Sequence, residues 1–153
     1  MTTYIGQAYI HKLGIFVAQI YPGKKEVEAA AYGVKKTSMN IKILCVSNKN
    51  NFEWVPTNHT HFHVDMTDKI PVIGGFDFNG NKGMVHIGKV HFQGFLKVGE
   101  ITSYLLENAQ LHFPHNSAEL SAKFYHVLVL RQLPVYDVRT PVAEILSKSA
   151  LVL

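Results

Sequence analysis

The sequence is poor in cysteine and has no long hydrophobic segment. Its single cysteine, Cys45, lies in the apolar run 41–46, where we expect a buried strand. One thiol excludes an intramolecular disulfide framework and fits a reducing compartment. No stretch approaches the roughly 20 apolar residues that span a bilayer, and the N-terminal residues lack the basic region and cleavage site of a signal peptide. We therefore expect a cytoplasmic or vesicle-associated protein, with any secretion following a non-classical route.

Catalytic and nucleic-acid-binding signatures are missing as well. The sequence has no G-x-S-x-G elbow, no H-E-x-x-H pair and no phosphate-binding loop. Its formal net charge is +4, but the lysines are scattered and no arginine-rich segment is present. These absences predict neither an enzyme nor a specific nucleic-acid-binding protein, and they imply no cofactor.

What the sequence does contain is typical of an all-β domain. With 153 residues, 47% of them hydrophobic and 17% charged, the chain suits one globular domain with a core of its own. Val, Ile, Tyr, Phe and Thr are abundant, and glycines separate short apolar runs. We predict a tight hairpin turn at Asn79-Gly80 and a short helix or an extended tail at residues 141–151. Strands are predicted at residues 3–10, 15–21, 27–32, 41–47, 84–92, 100–106, 109–113 and 125–132.

An internal repeat divides the chain into two similar halves. The motif IGQA at residues 5–8 recurs as IGKV at residues 87–90, about 80 residues further on. Each copy continues through a second strand, at residues 15–21 or 95–102, and closes on an apolar strand at residues 43–46 or 127–130. A unit of this size cannot easily bury its apolar face alone. We therefore predict two pseudo-symmetric antiparallel β-modules that pack together.

Three alternating histidines, His59, His61 and His63, suggest a metal site. On an extended strand this spacing would place all three imidazoles on one face, roughly 7 Å apart, and zinc, nickel or copper would accept them as ligands. Asp65 or His86 could supply a fourth ligand. The alternative is a solvated polar face without a metal.

The segment between the two halves resembles the DM-nine repeat family. It begins with Glu53-Trp54-Val55 and continues through an Ile-Pro and Gly-Gly-x-Asp turn, at residues 69–77, into the IGKV strand. The resemblance covers a full repeat at residues 53–129 and a half-repeat at residues 4–46. It implies a tandem β-domain at residues 1–132, followed by a C-terminal extension at residues 133–153. The extension is expected to bind a partner, to form a dimer or simply to cover a sheet edge.

The resemblance also implies a function. Characterised members are invertebrate lectins that bind mannose and mannose-rich glycans without calcium, and they often pair as dimers. Some are intracellular or vesicular pathogen-response proteins, which would place this chain in innate immunity. The expected partners are therefore mannose-type glycans or glycoproteins and a second copy of the chain.

The family pattern assigns a sugar site to particular residues. Its aspartate is Asp77, in the Gly-Gly-x-Asp turn, where two carboxylate oxygens can accept bonds from vicinal sugar hydroxyls. Its lysine is replaced by Glu100, so we expect Lys97, three residues earlier, to supply the cation. Its closing turn keeps the glutamate as Glu119. Aromatic rings are available for sugar stacking or for core filling at Phe76, Phe78, Phe92, Phe95 and Phe113.

The same pattern leaves two alternatives to a lectin. A scaffold or interaction protein that kept the fold and lost the sugar would explain the replacement of lysine by Glu100. A metal-binding protein would use the histidines, which the family pattern places in an insertion at residues 56–69. Loops of this kind often carry the specificity of a protein.

Overall fold

The computed structural model describes residues 2–131. Within this range the chain forms thirteen strands, one four-residue α-helix and two short 3-10 helices. The all-β prediction is therefore confirmed. The tail predicted at residues 141–151 and the C-terminal extension at residues 133–153 lie outside the described residues.

The strands belong to one antiparallel sheet, whose main path runs β12-β11-β10-β9-β8-β2-β1-β5. Strands β3 and β4 branch from β2, and β13 joins β9 to β6 and β7. The strands are β1 (Tyr4–Ile10), β2 (Gly14–Ile20), β3 (Val27–Ala30), β4 (Val34–Thr37), β5 (Ile41–Ile43), β6 (Phe52–Asn58), β7 (Ile70–Pro71), β8 (Ile73–Asp77), β9 (Gly83–Phe92), β10 (Phe95–Ile101), β11 (Leu111–His115), β12 (Ala118–Ala122) and β13 (Phe124–Leu130). The α-helix is α1 (Phe62–Asp65), and the 3-10 helices are Lys49–Asn51 and Asn79–Asn81.

Two series of strands repeat the same order of pairing. In the N-terminal module, hairpin β1–β2 pairs Gly6 with Ala18, and β5 returns to pair with β1. In the C-terminal module, hairpin β9–β10 pairs Gly88 with Gly99, and β13 returns to pair with β9. Each module also has an outer hairpin, β3–β4 or β11–β12. The predicted pair of pseudo-symmetric modules is confirmed.

The core has one cluster in each module and a third between them. The C-terminal cluster is built on Ile101, Leu111 and Phe113, and the N-terminal cluster on Phe16 with several alanines. The third cluster joins Val17 of β2 to Ile87, Val98 and Leu128 of the C-terminal module. Burial of such side chains stabilises a fold by about 1.5–3 kcal/mol each, so the interface between the modules is part of the hydrophobic core.

Several local predictions need correction. Strand β5 ends at Ile43, and Cys45 is exposed instead of buried, because β5 lies at the end of the sheet and β1 is its one partner among the described strands. Strand β10 ends at Ile101, so no strand continues to residue 106. Asn79-Gly80 does lie in the connection from β8 to β9, but this connection is longer than a tight hairpin turn and contains the 3-10 helix Asn79–Asn81, within which Gly80 has a positive φ of 68°. Among residues 2–131, no helix is long and apolar enough to span a membrane.

Candidate functional site

Asp77 lies where the two modules meet. It ends β8, between β2 of the N-terminal module and β9, and it pairs with Gly14 on one side and Gly83 on the other. The glycines allow this close approach, because a Cβ on Gly75 would overlap the carbonyl of Ile15, and one on Gly14 would overlap the carbonyl of Phe76. The Gly-Gly-x-Asp sequence thus brings one carboxylate to the junction of the modules.

The Asp77 carboxylate is almost fully buried and accepts bonds from three groups. Its side chain is 3% exposed. Oδ2 accepts from the Tyr32 hydroxyl at 2.7 Å and from the Tyr104 hydroxyl at 3.3 Å, and Oδ1 accepts from the backbone N–H of Asn79 at 2.9 Å. An ionised carboxylate offers about four acceptor positions, so about one remains for a ligand unless a protein donor is displaced.

Glu100 supplies a second carboxyl group to the same cleft. It lies on β10, is 2% exposed, and its Oε2 has no hydrogen-bond partner within residues 2–131. Burial raises the pKa of Glu100 well above its usual value, and the nearby charges of Glu119 and Asp77 raise it further. The protonated form is thereby favoured, and a protonated carboxyl can donate a hydrogen bond as well as accept one.

Glu119 completes a group of three acids. It lies on β12, with Oε2 3.6 Å from Nδ1 of His112 on β11. His112 in turn pairs across the sheet with Glu100. The three acids line a cleft of about 220 Å³, and the structure therefore brings together Asp77, Glu100 and Glu119, as the family pattern implies.

Three further polar residues of the cleft have no counterpart in the sequence-based assignment. Tyr32 comes from the β3–β4 turn, Lys82 from the turn before β9 and Tyr104 from the segment after β10. Nζ of Lys82 donates to the Tyr32 hydroxyl and lies 4.3 Å from the centre of its ring. That bond raises the pKa of Lys82, whereas burial, reinforced by Asp77, raises the pKa of Tyr104. No local sequence pattern marks these residues, because they converge from separate turns.

Lys97 lies elsewhere. It is three positions before Glu100 on β10 and thus faces the other side of the strand. It lines a second cleft, formed with the β3–β4 hairpin and the β11–β12 turn, so it does not supply a cation beside Asp77. Lys82 is the lysine that the structure places at the Asp77 cleft.

The five phenylalanines named from the sequence do not line the Asp77 cleft. Phe113 is buried in the core and Phe92 packs against it. Phe76, Phe78 and Phe95 are exposed. The core-filling interpretation therefore holds for two of the five rings.

The three histidines do not share one face of a strand. His59 and His61 lie in the turn after β6, and His63 lies in α1. Nε2 of His63 contacts the carbonyl of Ser103 at 2.7 Å, while the His61 ring contacts Asn58. Of the candidate fourth ligands, Asp65 accepts a bond from Thr57, and Nδ1 of His86 contacts the Ser103 hydroxyl. Residues 2–131 contain no group of three His, Cys, Asp or Glu side chains arranged to hold a metal ion.

Comparison with known protein families gives one match. A family model for the DM9 repeat matches residues 1–122, a range that includes strands β1–β12 and the acids of the Asp77 cleft. A search of the curated proteins finds none that matches the chain.

Proposed function

The chain belongs to the DM9 repeat family, and from this membership we propose that it is a carbohydrate-binding, lectin-like protein without catalytic activity. In this proposal the Asp77 cleft binds mannose-type glycans or glycoproteins and needs no calcium. Protein hydroxyl, carboxyl and ammonium groups would take the place of a metal ion in contacting the sugar hydroxyls.

The observation that carries the proposal is the mixture of donors and acceptors in the cleft. Carboxyl groups come from β8, β10 and β12, hydroxyls from Tyr32 and Tyr104, and an ammonium from Lys82. A sugar carries hydroxyls that both donate and accept, and hydrogen bonds to charged groups are roughly twice as strong as neutral ones. A neutral polyhydroxylated ligand therefore suits this set of groups.

Glu100 has a specific role in the proposal. In the family pattern a lysine stands at its position, and a permanently ionised acid there would repel Asp77. Because burial favours the protonated form of Glu100, its carboxyl group can donate to a sugar oxygen while Asp77 accepts. One donor then replaces the three of a lysine ammonium, which predicts weaker binding than a site with lysine would have.

The proposal is tested by titrating the protein with mannose and with mannose-rich oligosaccharides in the presence of EDTA. We expect saturable binding that Asp77→Asn abolishes. The matched control is Asp68→Asn, because Asp68 is exposed and, among residues 2–131, pairs only with Lys69. Unfolding curves for both variants establish that they remain folded. No binding by the folded wild-type protein, on a glycan array or in titration, would overturn the proposal.

A second candidate function is a scaffold that kept the fold and binds another protein instead of a sugar. The three protein donors on Asp77 favour it, since a ligand must displace Tyr104 or Tyr32 to gain more than one acceptor position. This alternative predicts a blank glycan array for the native protein. With either function we propose a homodimer and a cytoplasmic or vesicle-associated location. Size-exclusion chromatography with light scattering tests whether the protein is a homodimer.

A further inference from the structure

A second cleft of about 660 Å³ lies at the pseudo-symmetric position in the other module. It is bounded by the end of β2, the β3–β4 hairpin, β10 and the β11–β12 turn. The Asp77 cleft is bounded in the same way by the end of β10, the β11–β12 hairpin, β2 and the β3–β4 turn. Each cleft therefore uses one outer hairpin of its own module and the turn of the other hairpin.

Strand register establishes which residues correspond. Gln19 pairs with Ile5 and Glu100 pairs with Ile87, and these isoleucines begin the two copies of the repeated motif. Gln19 therefore takes the place of Glu100 on the floor of the second cleft. In the same registers Phe16 pairs with Ala8 and Lys97 with Val90, the final residues of the two motif copies. Lys97 thus corresponds to Phe16, which lines the Asp77 cleft.

The outer hairpins carry opposite charges at the two clefts. In the C-terminal module the acid Glu119 lies 3.6 Å from His112. In the N-terminal module the cation Lys36 lies 3.6 Å from Glu28. Lys36 lies directly across from Glu28, whereas Glu119 lies two residues from Ser121, the residue across from His112. The outer hairpin thus contributes an acid beside a histidine at the first cleft and a lysine beside an acid at the second.

The floor of the second cleft is neutral and already satisfied. Gln19 is 7% exposed; its Nε2 donates to the carbonyl of Leu96 at 2.9 Å, and its Oε1 accepts from the N–H of Val98 at 3.1 Å. The Gln19 amide therefore offers no counter-charge to the lysines above it. This differs from the Asp77 cleft, whose floor holds two buried acids.

The lysines outnumber the acids at the second cleft. Four lysines (Lys24, Lys25, Lys36 and Lys97) and two glutamates (Glu26 and Glu28) line it, which leaves two positive charges without a partner among its lining residues. The Asp77 cleft has three acids and one lysine. A concave surface with an excess of one sign of charge raises the local concentration of oppositely charged ligands. The Tyr21 ring is also part of the lining, and Nζ of Lys24 lies 5.4 Å from its centre. The C–H groups of a sugar can pack against this ring beside the ammonium.

We propose that the second cleft binds a saccharide that carries an anionic group, namely a sulfate, a phosphate or a carboxylate. The anionic group contacts Lys97 and Lys36, whose ammonium exchanges its Glu28 partner for the ligand, and the sugar ring packs along Tyr21. The inference rests on the proposed function, because it takes the second cleft to bind a sugar as its pseudo-symmetric counterpart, the Asp77 cleft, is proposed to do. It extends that function by assigning an acidic sugar to the second cleft. The two clefts then bind their ligands independently, a neutral glycan at the Asp77 cleft and an acidic one at the second cleft.

The test is a titration with mannose 6-phosphate, glucuronic acid and galactose 6-sulfate, with mannose and inorganic phosphate as references. We expect at least one acidic sugar to bind about tenfold or more tightly than mannose at this cleft, and to weaken as salt rises from about 0.05 M to about 0.5 M. Lys36→Glu, which replaces the ammonium with a carboxylate, is expected to weaken that binding by about tenfold or more, as for loss of a charged hydrogen bond.

Matched variants separate a local effect from a general change in charge. Lys35→Glu changes the same charge at the neighbouring position of β4, outside the cleft lining, and it is expected to leave the affinity within about twofold. Lys97→Gln is a milder second variant, because Lys36→Glu leaves two acids facing each other; it is expected to weaken binding as well.

Three results would overturn the inference. They are equal affinity of Asp77→Asn for acidic and neutral sugars, equal loss in Lys35→Glu and Lys36→Glu, and binding of inorganic phosphate as tight as that of the acidic sugars. The Asp77→Asn variant distinguishes this failure from that of the proposed function. Acidic-sugar binding should survive Asp77→Asn, and mannose binding should survive Lys36→Glu, so each site can fail without the other.

Discussion

The hydroxyl of Tyr32, in the N-terminal module, donates to Oδ2 of Asp77, in the C-terminal module, at 2.7 Å. The same hydroxyl accepts a bond from Lys82. One phenol therefore links the two modules at the candidate sugar site and connects the buried carboxylate to the exposed ammonium. The bonds that hold the modules together at this edge are also the bonds that a ligand would have to exchange.

Tyr32→Phe removes this link and is expected to lower the free energy of unfolding by about 1 kcal/mol, the usual net value of one hydrogen bond. It should also free one acceptor position on Asp77. Urea unfolding measures the first effect and mannose titration the second. Tyr9→Phe is the matched control, since Tyr9 and Tyr32 are both 42% exposed. Equal unfolding curves for the two variants would contradict the role given to Tyr32.

Glu100 makes stability depend on pH. Its folded-state pKa is raised well above 4.5, so between these two pKa values the folded state binds more protons than the unfolded state. Stability is then fully present below about pH 4.5 and is lost as pH rises through the folded pKa. Glu100→Gln should unfold at higher urea concentration than wild type at pH 7.5 and match it at pH 4. The exposed residue Glu26, changed to Gln, serves as the control. A gain at pH 7.5 as large in this variant as in Glu100→Gln would contradict the role given to Glu100.

His86 makes stability depend on pH in the opposite direction. Burial, followed by the charge of His63, lowers the pKa of His86 from 6.5 to about 4. The unfolded state therefore binds more protons between these values, and stability is lost as pH falls from 6.5 towards 4. The expected loss between pH 8 and pH 5 is at most about 2 kcal/mol. His86→Gln should remove that part of the pH dependence, whereas His126→Gln, at an exposed position, should keep it. An unchanged slope in His86→Gln would refute the assignment.

The fold was predictable because its signals are local or repeated. Alternating apolar runs indicated strands, and the two IGxx motifs indicated two modules whose pairing order is indeed the same. The end of the sheet formed by β5 was harder to predict. Residues 41–46 have the composition of a buried strand, yet β5 is short and Cys45 is exposed, because burial depends on which strand covers the outer side.

The candidate site was predictable where one motif carries the residue. Asp77 and Glu119 come from turns of the family pattern, and Glu100 from the strand between them. Lys97 was assigned by proximity in sequence, which fails on a strand because residues three apart point to opposite faces. Tyr32 and Tyr104 were missed because distance in sequence, 45 and 27 residues from Asp77, conceals contact in space.

Zinc binding tests the histidine hypothesis directly. Because Nε2 of His63 bonds to the carbonyl of Ser103, that nitrogen carries the proton and cannot coordinate a metal without breaking the bond. We expect no saturable zinc binding to the folded protein by calorimetry. A one-to-one heat signal that disappears in His61→Gln and persists in His11→Gln, a histidine outside the loop, would restore the metal site.

The last prediction concerns the glycine contact that positions Asp77. A Cβ at Gly75 would overlap the carbonyl of Ile15, so Gly75→Ala must push β8 away from β2. Overpacking of this kind costs about 1–3 kcal/mol, and here it separates the modules where Asp77 meets Tyr32. Urea unfolding should show the loss, and mannose binding should weaken even in the folded fraction. Gly80→Asn is the control, because, its two chain neighbours apart, no atom of the described residues lies within 4 Å of the added Cβ, and asparagine tolerates positive φ. If Gly75→Ala matched Gly80→Asn in both measurements, contact between β2 and β8 would not be what holds Asp77 in place.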